Sequence, residues 1–271
     1  MTKGGQFLIA AAAAFAGLAA MGGKAGAAQC GNGPGGFAAW KQQFAEEARG
    51  RVGGSAIAAL MAANYASATI AADRSQRSMH LPFDQFCAKR GCSAIASRGR
   101  ALKQSNAALF ASIEQRYGVP PGPLIAIWGM ETGFGREHGN QNTLSAVATL
   151  AYDCRRSAYF TDQLYAALAL IDRGTFSAGT RGSMHGEVGQ TQFMPRTVLE
   201  YGTGGNLDNS AAALSSTANF LRAHGWRAGA GYQPGETNFG AIQAWNASPA
   251  YQQAIARTGQ QIDGGGGASR R

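Results

Sequence analysis

Residues 123–135 read PLIAIWGMETGFG, and this segment predicts the central helix of the fold. Leu124, Trp128 and Glu131 are spaced so that they share one face of a helix. The residues between them are apolar as well, which predicts a helix that is buried on nearly all sides. Gly133 follows directly and is typical of a helix end. We therefore expect a globular core built around one apolar helix that carries a single carboxylate.

The position of Glu131 predicts an unusual protonation state. A carboxylate on a buried helix face is costly unless it is paired or protonated, and the helix C-terminus adds the negative end of the helix dipole. Both effects favour the neutral acid and raise its pKa. Protonation of a glycosidic oxygen requires a carboxylic acid that stays neutral near neutral pH. Glu131 is therefore a candidate general acid, and the alternative is a structural glutamate paired with Arg136.

Two segments downstream contain groups that suit a sugar ligand. Residues 181–195, RGSMHGEVGQTQFMP, combine glycines, which let the backbone approach a ligand, with neutral hydrogen-bonding side chains such as Ser183 and Gln192. Residues 244–251, AWNASPAY, add a tryptophan, an asparagine and a tyrosine. Each segment is weak evidence alone, because Gly- and Ser-rich loops are common on surfaces and because Trp and Tyr most often belong to the core.

Helical periodicity dominates the rest of the chain. Few runs alternate with period two, which predicts a predominantly α-helical fold whose sheet is small or absent. Residues 174–192 are Gly-rich and are expected to be irregular. The predicted helices span residues 37–49, 56–65 with Ser55 as N-cap, 93–117, 124–132, 142 or 143 to 152, 157–173, 195–200, 209 or 210 to 224, 237–245 and 249–262.

The first 27 residues are predicted to be a cleaved signal peptide. A lysine near the start is followed by an apolar run at residues 7–21, and residues 25–27, AGA, fit a cleavage site. The alternative is a membrane anchor, but the run is shorter than the ~20 residues that a membrane span requires. This prediction leaves residues 28–263 as one folded domain, and the Gly-rich residues 264–271 are expected to be disordered.

Charge and cysteine content narrow the function classes. The net charge of +9 suits an anionic polymer, and export argues against nucleic acid as that polymer. Four cysteines in an exported chain indicate two disulfides with three possible connectivities; free thiols are the lesser alternative. A short Cys87–Cys92 loop would leave Cys30 to pair with Cys154. The cysteine spacing and the lack of an HExxH pattern predict no zinc site.

Four segments in a fixed order carry a resemblance to a known family. They are residues 128–135 (WGMETGFG), 189–195 (GQTQFMP), 218–226 (ANFLRAHGW) and 245–251 (WNASPAY). Together they resemble the lytic murein transglycosylase B family, glycoside hydrolase family 103, over about residues 37–263. The resemblance implies a lysozyme-like catalytic core and a peptidoglycan substrate.

The resemblance also implies roles for individual residues of the glycan site. The catalytic glutamate of the family corresponds to Glu131, which is the single acid/base. The serine that opens its Gly-rich loop corresponds to Ser183, and its glycan-binding glutamine corresponds to Gln192. An asparagine and a tyrosine near the C-terminus correspond to Asn246 and Tyr251. We expect these four residues to contact the sugar.

An arginine pair of the family, implicated in holding the stem peptide, resembles Arg155 and Arg156, with Tyr159 beside them. Two guanidiniums can bind peptide carboxylates in bidentate fashion, which gives the implied role its chemistry. The alternative for the arginine pair is a solvated helix start. Both interpretations stay open on the sequence alone.

The chain departs from the family pattern at three places. Met184 stands where an aromatic residue is expected, and Glu187 stands where a small residue is common. Some relatives carry an Asp-rich loop that resembles an EF-hand, but residues 202–209 are short and contain only Asp208 as an acid. The departures therefore predict no metal ion and no other cofactor.

Three hypotheses of function follow, all in a periplasmic protein. The first is a lytic transglycosylase that leaves 1,6-anhydroMurNAc ends and uses only Glu131. The second is a lysozyme-type hydrolase whose second carboxylate is Glu187 or Asp153. The third is a wall-binding protein without catalytic activity. The expected partners are peptidoglycan glycan strands and stem peptides, with envelope machinery as a further possible partner, and the expected oligomeric state is a monomer.

Overall fold

The structure is a computed structural model, and it describes residues 28–75 and 81–264. The predicted signal peptide and residues 265–271 of the predicted tail lie outside the described residues. Within the described ranges a 3₁₀ helix, Pro34–Gly36, precedes thirteen α-helices. These are α1 (Phe37–Ala48), α2 (Gly54–Ala62), α3 (Ser67–Arg74), α4 (Phe83–Arg90), α5 (Cys92–Ser105), α6 (Ala107–Tyr117), α7 (Pro121–Thr132), α8 (Thr143–Tyr152), α9 (Ser157–Asp172), α10 (Pro195–Tyr201), α11 (Ser210–Ala223), α12 (Phe239–Trp245) and α13 (Pro249–Asp263).

A single small sheet accompanies these helices in the part of the chain that the structure describes. Strand β1 (Gln141–Asn142) pairs antiparallel with strand β2 (Arg181–Gly182), and Gln141 lies opposite Gly182. The pairing holds the segment before α8 against the start of the Gly-rich loop that contains Ser183. The predicted helical fold with a small sheet is therefore confirmed.

Helix α7 lies at the centre of the larger core, as its apolar sequence predicts. Its residues are buried on all sides except at Glu131. Helix α13 packs along α7 so closely that a Cβ on Gly122 would lie 2.3 Å from the carbonyl oxygen of Gly259. Asp263, at the end of α13, accepts a hydrogen bond of 2.8 Å from the Gly122 amide at the α7 N-terminus. These contacts fix the N-terminal turn of α7. Because the helix is rigid, they also fix the position of Glu131 in its last turn.

A second core lies beside the first and is formed mainly by α1, α2, α8 and α9. It contains the stripe of α9 that the sequence predicted, Phe160, Leu164 and Leu168, together with Phe44 and Leu60. Burial of such large apolar side chains contributes about 1.5–3 kcal/mol each. This core supports the turn between α8 and α9, where Arg155 and Arg156 lie.

Both ends of α2 are capped by residues from other helices. Asp172, at the end of α9, accepts hydrogen bonds from the Gly53 amide at 2.6 Å and from the Ser55 hydroxyl at 2.9 Å. Lys41 of α1 donates to the Met61 and Ala63 carbonyl oxygens at 2.6 Å each. The prediction that Ser55 is the N-cap was wrong: the N-cap is Gly53, because the long-range carboxylate satisfies the amides that a serine would otherwise bind.

Other helix predictions also need correction. The predicted helix 93–117 is two helices, because the chain leaves helical geometry at Asn106 between α5 and α6. Helix α2 ends at Ala62 rather than at residue 65. Helices α3 and α4 were not predicted at all. In α3 only three of eight residues are buried, so its apolar periodicity is weak.

Two disulfides are formed, Cys30–Cys154 and Cys87–Cys92. The structure thereby selects one of the three connectivities and excludes free thiols among these four residues. Taken singly, no helix within the described ranges has the length and apolarity to cross a membrane. Helices α2 and α3 meet that criterion only as a pair, and the pair is bent by 80°.

Candidate active site

Glu131 lies at the last turn of α7, where the helix is closed by a left-handed residue. Gly133 has φ of 57°, a conformation that glycine adopts without strain. Phe134 then folds back onto Trp128 with ring centroids 5.5 Å apart. Thr132 donates a hydrogen bond of 2.6 Å to the Gln190 carbonyl oxygen, which ties the end of α7 to the Gly-rich loop. These contacts hold the catalytic candidate on a rigid element.

The two oxygens of the Glu131 carboxyl have different surroundings. Oε1 accepts a hydrogen bond of 2.5 Å from the Tyr251 hydroxyl and one of 3.4 Å from the Trp245 indole nitrogen. Within residues 28–75 and 81–264, no hydrogen-bond partner is found for Oε2. One oxygen is thus oriented by two donors, while the other remains available to carry and transfer a proton.

The protonation state predicted for Glu131 agrees with its environment. Its pKa is raised from an ordinary 4.5 to about 7, mainly because burial disfavours the charged form, and the nearby Glu187 carboxylate adds to the rise. The donors Tyr251 and Trp245 and the charge of Arg90 act in the opposite direction. The Glu131 side chain keeps partial exposure to solvent, so a ligand can reach its carboxyl group.

The structural alternative for Glu131 does not hold. Arg136 directs its Nε to the Gly133 carbonyl oxygen at 3.1 Å instead of pairing with the glutamate. Among the described residues Glu131 forms no ion pair. The cation that lowers its pKa slightly is Arg90 of α4, which donates to the Met130 carbonyl oxygen at 3.3 Å. A carboxyl whose pKa is raised this far without an ion-pair partner is typical of a functional site, where perturbed pKa values cluster.

Ser183 and Glu187 form a compact turn near Glu131. The Ser183 hydroxyl donates to Glu187 Oε2 at 2.8 Å and accepts from the amides of His185 and Glu187 at 3.1 and 3.2 Å. The hydroxyl of Ser183 is therefore committed to the turn in this structure. Glu187 lies close enough for its charge to raise the pKa of Glu131. Met184, which stands in place of the expected aromatic residue, is exposed.

The backbone of Gln192 has a left-handed conformation that residues other than glycine rarely adopt. Its φ is 56°, and such strain at a non-glycine residue is often associated with function. Its amide nitrogen Nε2 donates to the Gly189 carbonyl oxygen at 2.9 Å and reaches the His138 carbonyl oxygen at 3.5 Å. The loop therefore fixes the direction of the side chain before any ligand binds.

Asn246 shapes the turn between α12 and α13. Its side-chain oxygen accepts from the Ser248 amide at 2.9 Å, and its carbonyl oxygen accepts from Gln252 Nε2 at 2.7 Å. The turn brings Trp245 and Tyr251 together on Glu131 from the two adjoining helices. Tyr251 itself is buried, and burial and the Glu131 carboxylate raise its pKa, so it remains a hydrogen-bond donor.

Arg155 and Arg156 converge on a carboxylate that the sequence did not reveal. Both form ion pairs with Asp73 of α3, whose side chain is 1% exposed, and the Arg156–Asp73 distance is 2.7 Å. His185 of the Ser183 turn lies 3.8 Å from the same carboxylate. Tyr159 is exposed and carries the Arg156 guanidinium 5.6 Å from its ring centroid. The arginine pair is thus an anchored cluster rather than a freely solvated helix start.

The structure brings some of the predicted residues together and separates others. Tyr251 and Trp245, which the sequence placed in a segment that suits a sugar ligand, both donate to Glu131 Oε1. Asp153, one of the two candidate second carboxylates, pairs instead with Arg74 at 3.3 Å in the turn after α8. Asp73 was missed because no predicted helix covered it, and Arg90 was missed for the same reason.

Within residues 28–75 and 81–264, no three His, Cys, Asp or Glu residues are placed to hold a metal ion. Asp208, the acid in the shortened loop, lies 3.5 Å from His138. The arrangement around Glu131 is suited to proton transfer by one carboxyl group, with orientation supplied by neutral donors.

Comparison with known proteins supports a family assignment. The family model described as "Transglycosylase SLT domain" matches residues 36–236. Membrane-bound lytic murein transglycosylase B of Escherichia coli (strain K12) is 38% identical over 120 residues, which are 41% of this chain and 33% of that protein. The match thus spans about a third of this curated relative.

Solved structures share the fold. SltB3 from Pseudomonas aeruginosa in complex with NAG-anhNAM-pentapeptide is 26% identical with a TM-score of 0.76, covering 84% of this chain and 80% of that one. The Escherichia coli lytic transglycosylase Slt35 in complex with bulgecin A gives 24% identity and a TM-score of 0.70, covering 83% and 93%. These likenesses confirm the predicted lysozyme-like helical fold. The family model covers most of the chain, and the chain therefore belongs to the transglycosylase SLT domain family.

Proposed function

We propose that this protein is a lytic transglycosylase that cleaves the MurNAc–GlcNAc β-1,4 bond of peptidoglycan and leaves 1,6-anhydroMurNAc ends. The observation that carries the proposal is the Glu131 carboxyl, which has a pKa of about 7, one oxygen anchored by Tyr251 and the other without a partner among the described residues. SltB3 from Pseudomonas aeruginosa, which shares the fold, was solved with NAG-NAM-pentapeptide and with NAG-anhNAM-pentapeptide, and this supports the substrate class.

In the first step, neutral Glu131 donates its proton to the glycosidic oxygen. The bond from that oxygen to MurNAc C1 breaks, and the GlcNAc side leaves as an alcohol. The acetamide of MurNAc stabilises the positive centre at C1, a substrate-assisted route that requires no second carboxylate. A carboxyl with its pKa near neutral pH is suited to donate here and to accept afterwards.

In the second step, Glu131 acts as the base. The carboxylate removes the proton from the C6 hydroxyl of the same MurNAc, and the C6 oxygen forms a bond to C1. Glu131 returns to its neutral state, and the product is the 1,6-anhydro sugar. Because the attack is intramolecular, its high effective molarity favours it over attack by water.

Neutral side chains position the sugar in this proposal. Gln192 and Asn246 offer amide groups, and Ser183 offers a hydroxyl that must share its hydrogen bonds with Glu187. Tyr251 acts through Glu131, because its hydroxyl orients the carboxyl. The strained backbone of Gln192 supports its inclusion among the positioning residues.

The stem peptide is proposed to bind at Arg155, Arg156 and Tyr159. The two guanidiniums are half-exposed, and each retains N–H donors beyond those directed at Asp73. The exposed ring of Tyr159 offers an apolar surface next to them. The buried carboxylate of Asp73 holds both guanidiniums in place through ion pairs.

We also propose the cellular setting. Residues 1–27 act as a cleaved signal peptide, residues 28–263 form the catalytic domain, and the protein works as a monomer in the periplasm. The two disulfides support an oxidising compartment. Partnership with envelope machinery would follow from the need to open the wall locally.

A second candidate function is a hydrolase with two carboxylates, and Glu187 is the observation in its favour. The charge of Glu187 raises the pKa of Glu131, whereas Asp153 forms an ion pair with Arg74. A hydrolase would release a reducing-end MurNAc, which is one water heavier than the anhydro product. A wall-binding protein without activity would release no soluble product.

The test is mass spectrometry of the soluble products from purified sacculi, with the unaltered protein beside Glu131→Gln. The proposal predicts anhydromuropeptides from the former and a loss of about 10²–10⁴-fold with the variant, because general acid–base catalysis contributes that much. The variant should keep its thermal stability, since glutamine retains the size of the side chain and the acceptor for Tyr251. Robust anhydromuropeptide release by Glu131→Gln would reject the assignment.

A further inference from the structure

A cavity of about 900 Å³ lies behind the loop that presents Gln192. Its lining comes from four segments, at residues 138–140, 173–181, 188–189 and 204–208, and from Val198 of α10. Its size falls within the range of small-ligand sites, which is roughly 300–1,000 Å³. Glu131, Tyr251 and Asn246 do not line it, so it is separate from the carboxyl that performs the proposed chemistry.

The charges that line this cavity are unbalanced. Arg173 and Arg181 both line it, and neither has an acidic partner among residues 28–75 and 81–264. Arg181 is held by a hydrogen bond of 2.9 Å from its Nη1 to the Asn140 carbonyl oxygen. The one acid of the lining, Asp208, lies 3.5 Å from His138. The cavity therefore favours an anionic ligand.

Neutral polar groups make up much of the remaining wall. Thr175, Ser177 and Thr180 supply hydroxyls, and Asn140 and Asn206 supply amides. Hydroxyls and amides spread over a wide cavity are suited to the hydroxyls of sugar rings, whereas a bare anion would require only the two guanidiniums. The lining thus combines groups for a saccharide with groups for a negative charge.

The cavity shares a wall with the proposed glycan site. Gln192 Nε2 donates to the Gly189 carbonyl oxygen at 2.9 Å and approaches that of His138 at 3.5 Å. Gly189 and His138 both line the cavity. A ligand in the cavity would contact Gly189 and His138, which fix the direction of the Gln192 side chain. Binding in the cavity would therefore affect binding at the glycan site.

We infer that this cavity is an accessory binding site for a carboxylate-bearing glycan, with Arg173 and Arg181 as the carboxylate ligands and the hydroxyl and amide groups as the sugar ligands. The inference rests on the proposed function for its substrate class. The carboxylate belongs to the stem peptide of a peptide-bearing strand or to the lactyl group that is exposed once the peptide is removed.

The test measures equilibrium binding to protein that carries Glu131→Gln, so that no probe is consumed. Three glycan probes are used: peptide-bearing muropeptide, peptide-free glycan with a free lactyl carboxylate, and chitotetraose, which has no carboxylate. A glycerol phosphate oligomer is the fourth probe, since guanidiniums also bind phosphate. Adding Arg173→Gln and Arg181→Gln should weaken binding of a carboxylate-bearing probe about five- to tenfold, because charge-assisted hydrogen bonds are lost.

Arg227→Gln in the same Glu131→Gln background is the matched control, because Arg227 is an exposed arginine outside the cavity lining. The control should bind every probe as the parent does, and chitotetraose should be insensitive to all arginine changes. Arg173→Gln alone serves as the mildest variant, since no hydrogen bond or ion pair of the Arg173 side chain is found in the described residues. Comparison of the first two probes identifies the source of the carboxylate.

The outcomes separate this inference from the proposed function. Equal binding by the parent and the cavity variants would overturn the inference while leaving the glycan site intact. The same follows if chitotetraose loses as much affinity as the carboxylate probes, or if only the phosphate oligomer depends on the arginines. If none of the glycan probes binds any variant, both the inference and the proposed function are wrong.

Discussion

At the scale of single residues, the proposed chemistry depends on how the two carboxyl oxygens of Glu131 differ. Oε1 is held by Tyr251 and Trp245, and Oε2 has no partner among the described residues. Burial raises the pKa of the carboxyl to about 7, although the hydrogen bonds to Oε1 favour the charged form. The opposing influences leave the group poised between donor and acceptor, as a single acid/base requires.

The role of Glu187 is tested by Glu187→Gln. Its charge raises the pKa of Glu131, so its removal should lower that pKa. Because catalysis requires protonated Glu131 in the first step, the alkaline limb of the kcat/KM profile should move to lower pH. Activity on the acid side should persist within about tenfold, since Glu187 takes no part in proton transfer.

Tyr251→Phe should shift the pH profile in the opposite direction from Glu187→Gln. The Tyr251 hydroxyl stabilises the carboxylate, so its loss should raise the Glu131 pKa and move the alkaline limb to higher pH. Tyr232→Phe is the matched control, because the Tyr232 hydroxyl is bound to Asp263 and not to Glu131. Abolished activity in Glu187→Gln at every pH would instead support the two-carboxylate hydrolase.

At the scale of elements, the contact between α7 and α13 positions the catalytic carboxyl. Gly122→Ala should lower the free energy of unfolding by about 1–3 kcal/mol, because its Cβ would lie 2.3 Å from the Gly259 carbonyl oxygen, and backbone cannot move aside cheaply. Urea denaturation measures the loss. Gly240→Ala in α12 is the control, since its Cβ meets nothing within 4 Å and alanine favours a helix. Equal stability of both variants would contradict the close packing.

At the scale of the whole molecule, the two disulfides close loops of very different length. The residues of Cys30–Cys154 are separated by 124 positions and those of Cys87–Cys92 by 5. Because a long loop restricts the unfolded chain more, replacing Cys30 and Cys154 with serine should cost about 2–5 kcal/mol, and replacing the other pair should cost less. Chemical denaturation of both double variants checks the order, and a larger loss for the short loop would contradict it.

The sequence predicted the parts of the molecule whose signal is local. The apolar run up to Glu131 identified α7, its burial and the raised pKa, because burial of a carboxyl follows from helical spacing alone. The contact of Tyr251 with Glu131 was not predicted, because the family resemblance implied only that Tyr251 contacts the sugar. Long-range partners were not predictable. Asp172 caps α2 although it lies 117 to 119 positions away in the sequence. Asp73, which pairs with Arg155 and Arg156, lies 83 positions from Arg156. Such contacts depend on packing that no periodicity encodes.

The role of Glu131 as the general acid is tested by an NMR titration of its carboxyl carbon in ¹³C-glutamate-labelled protein. The resonance is identified by its absence in Glu131→Gln. We expect a titration midpoint at about pH 7, because burial raises the pKa of the carboxyl. A midpoint near the ordinary value of 4.5 would mean that the carboxyl is charged at neutral pH, and it would contradict the assignment of Glu131 as the general acid.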